Sequence, residues 1–238
     1  MAGPALARTA GGMKRFYKAA TAAARGAIDI DGKPARTPGR QLLVLPNQPL
    51  AEAVAAEWSA QGEDIDPRTM PLTGLANAAI DRVAPDKETF ARGLAIYGES
   101  DLLCYRAESP PPLVDRQARA WDPILQWARR RYDVDFEVVS GIMHRHQPQA
   151  TVDSLAQAVH SRSALELAGL SPIVTISGSL VLALALAEGA IDVDSAWKAA
   201  TVDEVWQFDQ WGEDNEAARA LAARQRDFEA GWRFFSLL

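Results

Sequence analysis

The chain has 238 residues and a mass of 25.8 kDa, enough for one large domain or two smaller ones that each bury a core. Its 25 basic and 31 acidic residues give a net charge of -6, which argues against a polyanionic partner such as DNA, because phosphate binding depends on clustered Lys and Arg. A single cysteine, Cys104, excludes an internal disulfide and a cysteine-based metal knuckle, and fits a reducing compartment.

Residues 1–28 contain Arg8, Lys14, Arg15, Lys18 and Arg25 but no acid, the superficial look of an organelle transit peptide. KRFYK at 14–18 leads straight into apolar/polar alternation, however, so the reading is a flexible tail over 1–12 and folded chain from 13. Two short extended runs follow at 27–30 and 41–45. The turn formers Asp31-Gly32, Pro34, Pro38-Gly39 and Pro46 around them predict a small antiparallel sheet with hairpin connections. After Pro46 the period changes: Leu50, Val54, Glu57 and Trp58 recur at helical spacing, with Gly62 as terminator. Trp58 is read as the core anchor of that helix rather than as a contact.

Helices are predicted over 72–83 and 87–97, separated at Ala84-Pro85 because the residue before proline is pushed out of helical geometry. Three prolines at 110–112 precede RQARAWDPILQWARRRY. There Asp122-Pro123 has the form of an N-cap and first-turn proline, or else of a proline within one longer helix, with Ile124, Leu125, Ala128 and Tyr132 as the buried stripe. A short extended piece is predicted at 136–141, then helices at 151–160, 172–187, 194–200, within 201–218, and at 217–235. The most apolar segment, 171–189, is interrupted by Pro172, Ser177, Gly178 and Ser179. Its longest apolar run falls far short of the ~20 residues a membrane span requires, so it reads as a buried core helix.

Signatures of catalysis are missing: there is no phosphate loop, no dinucleotide fingerprint, no H-E-x-x-H and no G-x-S-x-G elbow. Ser177-Gly178-Ser179 lacks the flanking glycines of a nucleophile elbow and suits close helix packing. His144 and His146 share a face only in extended chain, with Arg145 between them, which is a poor metal site. His160 stands at a helix end, where a cation is favourable in any case.

The most unusual stretch is TVDEVWQFDQWGEDNEAA, residues 201–218. It holds six carboxylates and three large aromatics with no basic residue. Glu204, Phe208 and Trp211 fall on one side of a helix, whereas Thr201-x-x-Glu204 has capping-box spacing and Gly212 can end the helix before Glu213 and Asp214 open the next. Acids alternating with aromatics also suit a protein-binding surface. These residues leave capping with packing, and partner binding, equally open.

Several segments together resemble the assembly chaperone family that attends the alpha subunit of the ATP synthase catalytic head. They are KRFYK at 14–18, DGKPARTP at 31–38, LAEAVAAEWSAQGEDID at 50–66, MPLTGLANAAID at 70–81, DLLCYRAE at 101–108, WDPILQWARRRY at 121–132, SGSLVLALALAEG at 177–189 and DEVWQFDQWGEDNEA at 203–217. The resemblance implies an α+β protein: a small β-rich N-terminal domain with one helix over 13–70, and a larger, mostly helical C-terminal domain over 71–238. It implies no catalysis and no cofactor, metal or nucleotide. Its partner would be the unassembled alpha subunit, held before it joins beta by a monomeric protein of the bacterial cytoplasm, or of mitochondria in a eukaryotic host. Client-binding candidates on this reading are Glu204 first, then Asp203, Trp206, Trp211, Glu213 and Asp214. The alternatives from other classes are a metal-assisted hydrolase using Asp209, Glu213 and Asp214, and a small-molecule module with a pocket between the domains.

Overall fold

In the computed structural model, which describes residues 13–141, 145–212 and 214–238, the chain opens with short antiparallel ladders. The expected tail over 1–12 lies outside the described residues. β1 (Met13–Lys14) pairs with β5 (Asp64–Ile65), while β2 (Ala20–Ala22), β3 (Ile28–Ile30) and β4 (Lys33–Pro34) form a three-stranded sheet in that order. The Asp31-Gly32 hairpin is present: both residues have positive φ, 50° and 74°, with Ile30 opposite Lys33, the pattern of a two-residue type I′ turn. Asp31 also ties the turn to the preceding strand, since its Oδ1 accepts from Ala19 N at 2.8 Å and Lys18 N at 2.9 Å, bonds that hold its carboxyl below the usual range.

The strand predicted at 41–45 is reduced to single bridges, Ala27 to Val44 and Arg36 to Leu42. Its alternation is as expected, with Leu43 and Leu45 buried and Leu42 and Val44 exposed. Its hydrogen bonds, however, are divided between two segments: Ile28 N donates to Leu43 O, and Leu43 N donates to Ala35 O. Leu43 thus exchanges no reciprocal pair of bonds with either neighbour, the unit from which an antiparallel ladder is built.

α1 (Gln48–Ser59) is capped by Asn47, whose Oδ1 accepts from Leu50 N at 2.9 Å. Its Glu57 caps a second helix, α2 (Pro71–Ala78): the carboxylate accepts from Leu72 N (2.8 Å), Thr73 N (2.7 Å) and Thr73 Oγ1 (2.7 Å). α2 runs on through a π-helical turn, Ala79–Val83, and the predicted break at Pro85 is a 3-10 turn, Ala84–Asp86, before α3 (Lys87–Ala95). Asp81 in the π turn accepts from Thr37 Oγ1 at 2.6 Å and Gly39 N at 2.7 Å. Position 39 must be glycine for that approach, because a Cβ there would lie 2.6 Å from the Asp81 carboxylate.

β6 (Tyr105–Arg106) and β7 (Val139–Ser140) pair in parallel, so the extended piece expected at 136–141 is real but short. Between them α4 (Pro111–Tyr132) is one helix of 22 residues with Pro123 inside it. Of the two readings of Asp122-Pro123, the N-cap is therefore corrected and the proline within one longer helix is the one formed. Asp122 is mid-helix and pairs with Arg106 Nη2 at 2.8 Å. Burial favours continuity across the proline: Trp121 is fully buried, its Nε1 donates to Ala199 O at 2.8 Å, and the Arg106 guanidinium lies 5.0 Å from its ring centroid.

α5 (Gln149–His160), α6 (Ala164–Ser177), α7 (Leu180–Ala187), α8 (Val193–Ala200), α9 (Val202–Trp211) and α10 (Asn215–Ser236) complete the chain. The single helix expected at 172–187 is two helices, since Gly178 takes φ of 68° and Ser179 caps α7. A true capping box, Ser163 with Glu166, starts α6. α7 is buried from Leu180 to Leu186, and Asp101 beneath its N-terminus accepts from Ser179 Oγ at 2.6 Å and Val181 N at 2.9 Å.

The architecture is α+β, with small sheets near the N-terminus and a helical C-terminal region. The larger core gathers Trp121, Leu125, Val174, the α7 leucines and Phe228, while a second gathers Ile28, Leu43, Leu50, Leu72 and Phe234. α10 thus serves both, and it seats closely on α6 because Gly231 has no Cβ, which would stand 2.4 Å from Pro172. Trp58 packs edge-on to Tyr17 at 5.5 Å and touches both the second core and a small third one around Ile65 and Met70, the anchoring role expected of it. Among the described residues no helix is long and apolar enough to cross a membrane.

Candidate functional site

α9 and its surroundings decide what the 201–218 stretch can do. α8 runs into α9 with Thr201 alone between them, at φ -120° and ψ 21°, so Thr201 is not in the extended conformation a cap needs. Its hydroxyl donates to Trp197 O at 2.8 Å, and the capping box expected with Glu204 does not form. Gly212 does end the helix, at φ 85°. Asp214 opens α10, its Oδ2 accepting from Ala217 N at 3.0 Å. Glu213 lies outside the described residues.

Three flanks of α9 have distinct surroundings. On one, Glu204 Oε1 pairs with Arg224 Nη1 of α10 at 3.0 Å, and Arg224 Nη2 donates to Ile176 O at the end of α6, also at 3.0 Å. Glu204 therefore points at its own fold. On the second, Asp203 Oδ1 accepts from the buried Gln117 Nε2 at 2.7 Å, and Gln117 Oε1 accepts from Ala107 N at 2.8 Å, linking α9 through α4 to the chain beyond β6. That flank forms one wall of an open cleft of ≈ 530 Å³ whose other side is Tyr105, Pro110 and Leu113. Trp206 and Trp211 line it, Trp206 half-buried and Trp211 79% exposed. On the third, Asp209 Oδ2 accepts from both Nη1 and Nη2 of Arg116 at 2.9 Å, and the same guanidinium stacks over Trp206 at 5.2 Å from the ring centroid.

Of the carboxylates proposed as a hydrolase centre, the two described ones are each engaged by a different partner. Asp209 is taken by Arg116 and Asp214 by the α10 N-terminus. Among the described residues no group of three or more His, Cys, Asp and Glu side chains is placed to hold a metal ion. His144 lies outside the described residues, and His160 pairs with Glu88 at 2.8 Å. The open cleft beside α9 is formed by α4, α9 and the 105–110 segment, not by two domains. What the arrangement can do chemically is present an aromatic surface beside polar groups, Asp203, Gln117 and Arg106, that are already paired within the fold. The partners that organise it, Arg116, Gln117 and Arg224, carried no local signal in the sequence.

Residues 14–129 match the family model described as ATP12 chaperone protein. The crystal structure of Atp12 from Paracoccus denitrificans superposes with a TM-score of 0.88, at 38% sequence identity over 94% of this chain and 98% of that one. The chain belongs to the ATP12 chaperone family. A putative chaperone from Agrobacterium tumefaciens is 40% identical, again with a TM-score of 0.88, over 94% of this chain and 85% of that one. In this ATP12-family fold the segments that carried the resemblance are largely ties between elements: Asp31 to the chain entering β2, Glu57 to α2, Asp81 to the 37–39 loop, Asp101 to α7 and Asp122 to β6.

Proposed function

We propose that this ATP12-family chaperone binds the unassembled alpha subunit of the ATP synthase catalytic head, masks the surface that beta later covers, and releases it to beta. The observation that carries the reading is Trp211, a large aromatic left 79% exposed at the lip of an open cleft in a fold of this family. Exposed aromatics bordering a cleft are the usual anchors of protein contacts. An unassembled alpha subunit exposes an apolar interface of its own, and a cover of moderate affinity yields by mass action to the larger alpha/beta interface.

On this reading Trp206 and Trp211 touch the client. Asp203, Glu204 and Asp214 support the shape of the surface through Gln117, Arg224 and the α10 N-terminus. Glu213, next to Gly212, is proposed as a contact. The protein acts as a monomer in the bacterial cytoplasm, without a cofactor, and divides into a β-rich unit over 13–70 and a helical unit over 71–238. Refolding purified alpha subunit with and without the chaperone, while following light scattering and complex formation by gel filtration, tests the proposal. Suppressed aggregation with a one-to-one complex is expected, and neither suppression nor complex overturns it.

A further inference from the structure

The third flank of α9 faces an open trough of ≈ 610 Å³ between α4, α8 and α9. Ala120, Trp197, Val202 and Val205 give it an apolar floor, and Val205 is 40% exposed. Around this floor stand Arg116, Arg119 and Lys198 against a single acid, Asp209. Arg116 is spent on Asp209. Arg119 donates only to Asp115 O of its own helix at 3.1 Å, and neither Arg119 nor Lys198 has a carboxylate at ion-pair distance among the described residues. On a chain of net charge -6, this is an apolar trough whose rim carries more positive than negative side chains, with Lys198 attracted at longer range by Asp192, the N-cap of its own helix.

We infer that the trough docks a segment of the client in which one or two apolar side chains are flanked by carboxylates. The inference rests on the chaperone reading above and adds the chemistry of what is gripped. It reverses the expectation drawn from composition, in which the acids of 201–218 meet the client. Asp203, Glu204, Asp209 and Asp214 are engaged within the fold by Gln117, Arg224, Arg116 and the α10 N-terminus, whereas Arg119 and Lys198 beside the trough hold no carboxylate at ion-pair distance among the described residues. Complementary rim charges steer and select partners, and apolar anchors supply the hold. From Val202 to Asp209 the flank runs about 10 Å, room for about two turns of an amphipathic helix.

Two measurements on the full chain with purified alpha subunit test this. A photo-crosslinking amino acid replaces Val205, and the crosslinked alpha-subunit peptide is identified by mass spectrometry. In parallel, Kd is measured at low and high salt for wild type, the Arg119→Glu/Lys198→Glu double variant, and Lys33→Glu, a control on exposed β4. The expected results are an acidic, apolar-containing peptide, affinity weakened about tenfold or more by the double variant with its salt dependence flattened, and no change for Lys33→Glu. A basic or neutral peptide, a crosslink to a second copy of the chaperone, or unchanged affinity in a double variant of native Tm overturns the inference while the chaperone reading stands. Failure of wild type to bind alpha subunit overturns both.

Discussion

Glu204→Lys separates a residue that shapes the surface from one that touches the client. The Glu204 to Arg224 pair is 3.0 Å long with side-chain exposures of 34% and 41%, and Arg224 also ties α9 to the end of α6 through Ile176 O. A pair this exposed is screened, so its loss costs roughly 0.5–1 kcal/mol. Lysine also sets a like charge against Arg224, which adds a similar amount. The sum is about 1–2 kcal/mol, and for a chain of this size Tm should fall by roughly 2–8 °C. Thermal and urea denaturation measure this directly, alongside suppression of alpha-subunit aggregation. The charge-swapped double variant, Glu204→Lys with Arg224→Glu, restores the pair in reverse and should recover most of the lost stability and the lost protection together. A Glu204→Lys variant of wild-type stability that no longer protects, or a swap that regains stability without protection, would refute the internal role and make Glu204 a contact.

Truncating Trp211 to alanine should change unfolding free energy by less than about 0.5 kcal/mol, because the indole is exposed, yet weaken alpha-subunit binding in a pull-down or titration. Glu57→Ala removes the acceptor of two amides and the buried Thr73 hydroxyl at the start of α2 and should cost about 2–4 kcal/mol in urea melts, with Glu57→Gln costing less. Burial pushes the Asp101 carboxyl up from 3.8 to about 6, against the lowering effect of its bonds from Ser179, Val181 and Leu103. The folded state thus binds that proton more tightly than the unfolded chain. Its contribution to stability is full below pH 4, declines as pH rises to about 6, and is flat above, a loss of about 3 kcal/mol that the difference between wild type and Asp101→Asn should trace. Cys104 is fully buried and its thiol is pushed up to about 12 by burial, so it should resist a thiol reagent in the native protein and react only as the chain unfolds.

What the sequence determined by itself is the set of features written in a few neighbouring residues. The Asp31-Gly32 hairpin, the end of α9 at Gly212, the amphipathic α10 and the family all follow from local patterns, because a positive φ or a 3.6-residue period leaves its mark within one turn of chain. The same local signals misled where a neighbour competed. Thr201-x-x-Glu204 and Ser163-x-x-Glu166 have identical spacing, yet only the second caps, since α8 abuts α9 and the Thr201 hydroxyl finds the Trp197 carbonyl first. Asp122-Pro123 reads equally as a helix start or as a proline within one longer helix, and the burial of Trp121 decides for the second.

Only tertiary packing decided who pairs with whom. Glu204 meets Arg224, Asp209 meets Arg116 and Asp203 meets Gln117 across 20, 93 and 86 residues of sequence, and no periodicity encodes such distances. Of the six acids in this stretch, the three on α9 are therefore engaged from α4 and α10, by Gln117, Arg116 and Arg224, while Trp211 and two cations face outward. The physical reason is that charge on a surface belongs to whatever residues the core brings together, and the core is assembled by burial, which does not respect sequence order.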